Sequence, residues 1–191
     1  MEDLIIGTRT PHRRLIDPDE AITELERAVP GFGPLRLAEP AAFDWSALEA
    51  ALGSSVPADY KRLCELYPPF VLGDFLSVYF PVAGHEEKWP QALQEDLETA
   101  VEWCEDNDPV VPLHPYPFPG GFLPWGGSNQ GDLFLWSTSP AGPQEWTVTV
   151  ASRSNVWWHC TGGLVQFLAD LSGGALEPWS LPRIRPEARA W

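Results

Sequence analysis

Apolar residues recur at helical spacing in the first third of the chain; after Leu123 they come in short runs broken by Gly-rich turns. Ile22, Leu25, Ala28 and Val29 form one stripe. Asp17-Pro18-Asp19-Glu20 opens it with a capping Asp, a Pro in the first turn and acids near the N-terminus; Pro30-Gly31 closes it. Residues 30–43 read as a connection. Asp44 caps a second helix carrying Trp45, Leu48, Ala51 and Leu52, stopped by Gly53. Pro57-Ala58-Asp59 opens a third, with Tyr60, Leu63, Cys64 and Tyr67 inward, ended by Pro68-Pro69. Phe75 to Pro81 reads as a short strand. The longest predicted helix runs from Glu86 to Asp108, with Trp89, Leu93, Leu97, Ala100, Val101 and Cys104 on one side. Pro109 to Gly121, with five prolines, is a loop.

The stretch LPWGGSNQGDLFLWSTSPAGPQEWTVTV from Leu123 predicts a β-meander, with strands at 122–125, 131–137 and 145–151 and a fourth around Val156-Trp157-Trp158. Leu164, Phe167, Leu168 and Leu171 form a last helix between two Gly pairs. Residues 1–17 read as an extended arm, and the tail from Leu176 as loosely packed or disordered. The fold class is therefore α+β: a mainly antiparallel sheet of about four to six strands flanked by helices. Its units are an N-terminal extension with one helix (1–42), a central α+β domain (43–173) and a Pro- and Arg-containing tail (174–191).

Charge sharpens this picture. The net charge is −15 with a pI near 4.5. Between Leu63 and Pro182, fifteen acids stand against Lys88 and Arg153 alone, a balance of −13. Such a surface repels phosphate backbones and speeds encounter with basic partners, which argues against nucleic acid. Charge alone more commonly means solubility and a solvated face than a built interface. No apolar run approaches the roughly 20 residues of a membrane span. Cys64, Cys104 and Cys160 show no disulfide spacing, so the expected setting is reducing and cytoplasmic.

Catalytic candidates are weak. Gly126-Gly127-Ser128-Asn129-Gln130-Gly131 resembles a phosphate loop, but no Lys follows and Asp132 would repel a phosphate. A bulged hairpin turn accounts for it better. Cys64, His114, His159 and Cys160 lack zinc-module spacing. No catalytic residue, metal or cofactor is expected. The candidate partner-binding residues are the polar face of the long helix, Glu95, Glu98, Glu102, Glu105 and Asp106, with Trp157 or Trp158 as a possible anchor. Adjacent strand residues face opposite ways, so one indole is core. The other is either exposed or covered by the last helix or the tail.

The order of motifs resembles the SUKH superfamily, named for cell-wall-assembly regulators and bacterial immunity proteins. Trp45-x-x-Leu48-Glu49-x-x-Leu52-Gly53 and Val56-Pro57-Ala58-Asp59-Tyr60-Lys61-x-Leu63 look like its opening motif. Leu123-Pro124-Trp125-Gly126, Asn129-x-Gly131-Asp132-x-x-x-Trp136, Glu145-Trp146-Thr147-Val148 and the helix from Leu164 to Leu171 resemble its later ones. The likeness spans Phe43 to Gly173. It departs at Pro68-Pro69-Phe70, where members often carry Asn-Gly. The resemblance implies an immunity (antitoxin) protein that binds and neutralises a toxin without chemistry. The acidic field suits a basic, nuclease-type toxin domain. The alternative is an intracellular regulatory scaffold that binds an endogenous protein.

Overall fold

The computed structural model describes residues 5–106 and 113–191. Its centre is a mixed sheet of eight strands in the order β1-β7-β6-β5-β4-β3-β2-β8. The strands are β1 (Ile5–Arg9), β2 (Phe70–Leu72), β3 (Leu76–Val78), β4 (Phe122–Ser128), β5 (Leu133–Ser137), β6 (Thr147–Ala151), β7 (Trp157–Cys160) and β8 (Ala188–Ala190). Strands β4 to β7 form the predicted antiparallel meander, and β3 and then β2 extend it, also antiparallel, on the β4 side. The edges come from the two chain ends: β1 pairs in parallel with β7, and β8 antiparallel with β2. The sheet is thus larger than expected and not wholly antiparallel.

The helices start and stop where the local chemistry dictates. In α1 (Pro18–Ala28), Asp17 accepts hydrogen bonds from the Asp19 and Glu20 amides. In α2 (Trp45–Leu52), Asp44 caps the Ala47 amide at 3.0 Å, and Gly53 closes the helix at φ +81°. Helix α3 spans Ala58–Leu66. The predicted long helix is divided: a 3-10 turn at Glu86–Lys88, α4 (Trp89–Ala92) and α5 (Gln94–Asp106), with 107–112 outside the described residues. The division has two causes. Pro90 lacks an N–H and suits only a first turn. Trp89 and Leu93 also bury on one side of the sheet, whereas Ala100 and Cys104 bury on the other. The last helix, α6 (Leu164–Gly173), ends at Gly174 with φ +75°.

The sheet is covered on both faces. Helices α1, α2, α3 and α6 enclose the larger core with Trp125, Phe134, Trp136, Val148, Val150 and Trp158. Helix α5 encloses a smaller one with Phe122, Leu133, Leu135, Ala151 and Trp157. The two ends are built into this body. Ala21, Ile22 and Leu25 of α1 are buried, and α1 packs along α6. The tail is not loose: Leu176, Leu181 and Ile184 are buried and β8 completes the sheet.

The loop after β4 is a turn. Ser128 and Asp132 pair through backbone and side chains, with Ser128 Oγ donating to Asp132 Oδ2 at 2.6 Å. The Gln130 and Asp132 amides donate to Ser128 Oγ, and Gly131 takes φ +90°. Those amides are therefore already engaged and do not form an open cradle for phosphate.

Candidate interaction surface

Helix α5 is amphipathic against the smaller core, which turns its polar face outward. Glu95, Glu98, Glu102 and Glu105 are exposed; the Asp106 side chain lies outside the described residues. Gln94 Nε2 donates to Glu98 Oε1 at 2.8 Å. Among the described residues, no Lys, Arg or His forms an ion pair with these carboxylates. Most of the cations are engaged elsewhere: Arg9, Arg13, Arg27, Arg36, Lys61, Arg62, Arg185 and Arg189 pair with acids outside α5. Arg14 donates to the carbonyls of Gln144, Trp146 and Thr161, and Arg153 to that of Gln130. The charge segregation seen along the chain thus persists in space.

Neither tryptophan of the expected anchor is exposed. Trp157 and Trp158 do face opposite ways, but both are fully buried. Trp158 packs against Phe167 of α6 and Trp179 of the tail, each with ring centroids 5.9 Å away. Trp157 lies beside Phe122 beneath α5. An indole needs one covered face to be core, and here both sheet faces carry a helix. The anchor reading of Trp157 and Trp158 is corrected accordingly.

Two grooves flank α5, and the apolar pattern alone did not separate them from core. One is a cleft of about 560 Å³ between α5 and the segment Pro115–Pro117, floored by Leu97 and Val101 with Glu98 and Glu102 beside them. Leu97 and Val101 sit on the core stripe, yet they are only partly buried. The other groove, about 1430 Å³, lies over β2, β3 and β8. There burial and the neighbouring Asp96 carboxylate raise the Tyr79 pKa. Its charges are largely matched, since Arg185 and Arg189 both reach Asp74.

The groups that could suggest chemistry are scattered. Burial holds all three thiols protonated, with Cys104 pushed up to about 12, and each is enclosed. Thiols in this state are poor nucleophiles. Ser137 Oγ, Thr149 Oγ1 and His159 Nδ1 form a hydrogen-bonded chain with spacings of 2.5 and 2.6 Å. Thr149 is buried, and desolvation lowers the His159 pKa. Among the described residues, no cluster of three or more His, Cys, Asp or Glu could hold a metal ion, and no helix is long and apolar enough to cross a membrane.

No family model matches the chain, and no curated protein or solved structure matches it either.

Proposed function

We propose that this chain is a non-catalytic protein-binding module of the immunity type, SUKH-like in organisation, which captures a basic toxin domain through the exposed face of α5. One observation carries the reading. Four carboxylates line one helix, and no cation of the chain neutralises them among the described residues. Like charges at i,i+4, such as Glu98 and Glu102, destabilise an isolated helix by a few tenths of a kcal/mol. A basic partner relieves that repulsion and gains long-range attraction. A nuclease-type toxin must carry such basic groups to hold phosphate, so an inhibitor on the same surface blocks its substrate.

The test is association kinetics between the chain and the basic domain recovered with it. Reversing Glu98 and Glu102 to Lys slows association and flattens its salt dependence. Unchanged kinetics would place the interface elsewhere.

A further inference from the structure

We infer that the cleft between α5 and Pro115–Pro117 receives an arginine side chain of the partner, its methylene stem on the apolar floor and its guanidinium on Glu98 and Glu102. The inference rests on the basic-partner reading but adds a specific site and residue type.

The cleft has two chemically distinct parts. Leu97 and Val101 pack against the smaller core on one side and floor the cleft with the other. Pro115, Tyr116 and Pro117 form the opposite wall. That wall is fixed: Tyr116 Oη donates to the Leu52 carbonyl at 2.7 Å, and the Tyr116 amide to the Phe122 carbonyl at 2.9 Å. The Gly121 amide donates to the Phe118 carbonyl at 2.7 Å, which secures the same loop. Glu98 and Glu102 stand one helical turn apart beside the floor, both exposed and neither paired to a cation among the described residues.

An aliphatic floor beside two unneutralised carboxylates matches a side chain that is apolar along its stem and cationic at its tip. Both Lys and Arg have that build. Arg fits better, because its planar fork can bond two carboxylates at once and is more weakly hydrated than an ammonium. An acidic or purely apolar side chain would meet the wrong half of the site. A wall held in place needs no reordering when the ligand arrives. Partner arginines are also frequent hot spots of protein interfaces.

The probes are three synthetic pentapeptides of the form acetyl-Ala-Ala-X-Ala-Ala-amide, titrated into the full chain and followed by amide chemical shifts. X is arginine, citrulline (isosteric, uncharged) or diaminopropionate (charged, without the stem). The arginine peptide is expected to give saturable shifts at Leu97, Val101 and Tyr116. Citrulline and diaminopropionate are expected to weaken binding at least tenfold. Val101→Ser, checked for an unchanged fold by its spectrum, weakens the arginine peptide several-fold; Glu98→Gln with Glu102→Gln abolishes its binding.

Equal binding of the arginine and diaminopropionate peptides overturns the cleft and leaves a simple charge contact on α5. The same conclusion follows if Val101→Ser has no effect while the Gln variant binds nothing. Binding that survives the Gln variant overturns the cleft and the acidic-face reading together; a complete absence of shifts overturns the cleft alone.

Discussion

Arg9 holds its guanidinium carbon 3.7 Å from the centre of the Trp179 ring, joining β1 to the tail. The same Arg pairs with Glu177 at 2.7 Å. Trp179 reaches back to stand edge-on to Trp158, and a Cβ at Gly7 would lie 2.8 Å from its ring. Both chain ends are thereby latched over one buried indole.

This latch makes a stability prediction. Trp179→Ala should cost about 2–4 kcal/mol, as for other large-to-small changes at packed sites. Arg9→Ala should cost about 1 kcal/mol, because the contact is partly exposed. A double-mutant cycle by urea unfolding should return a coupling of about 0.5–1 kcal/mol. Gly7→Val should destabilise by clashing with the ring. Independent effects at Arg9 and Trp179 would contradict the latch.

A second prediction concerns a cap supplied across the fold. Gly163 at the start of α6 has no side chain to offer, and Asp59 of α3 accepts from the Val165 amide at 3.0 Å instead. Asp59→Ala should cost about 1–2 kcal/mol, within the range of lost N-caps, and Asp59→Asn less. Hydrogen exchange should show the Val165 amide losing protection first. Gly163→Ala should mimic the loss, since its Cβ would stand 2.8 Å from Asp59 Oδ2.

Acid should weaken the fold through His159. Burial lowers its pKa in the folded state from the ordinary 6.5. The unfolded chain therefore takes up the proton first as the pH falls. Stability contributed by the neutral ring is present above about 6.5 and lost as acidification proceeds toward the lowered folded value. The urea midpoint of the wild type should drop between pH 7.5 and pH 5.5 by more than that of His159→Gln. An identical drop in both would remove His159 from the account.

Most helix boundaries, the meander and a turn between β4 and β5 were readable because caps, prolines and glycines act locally, although Gly126 and Gly127, read as part of that turn, belong to β4 and pair with both neighbouring strands. Asp17, Asp44 and Gly53 do in space what they announce in sequence. The non-local pieces were not readable. Strands β1, β2 and β8 are three to five residues long, too short for a periodic signal, and β1 and β8 exist only through partners far along the chain. The break at Leu93 depends on which face of the sheet each side chain meets. For the same reason the exposure of Trp157 and Trp158 was open: alternation assigns opposite faces, but not what covers them. Leu97 and Val101 look like core in a helical stripe, and only the position of Pro115–Pro117 makes them a cleft floor.

Reversing charge on α5 should separate binding from stability. Glu98→Lys with Glu102→Lys should leave the unfolding midpoint unchanged or raise stability by a few tenths of a kcal/mol: the two lysines repel each other as the two acids did, but each gains an opposite charge at i,i+3, Glu95 and Glu105. Thermal unfolding of the free protein checks this. A large loss would mean that these side chains hold the fold.

The decisive comparison is a low-salt pull-down from the source cells with two baits, the wild type and the Glu98→Lys, Glu102→Lys variant. The wild type should retain a basic, toxin-like domain near one to one, and the variant should lose it. Recovery of the same proteins by both baits, or of an endogenous complex in place of a basic domain, would contradict the acidic-face account.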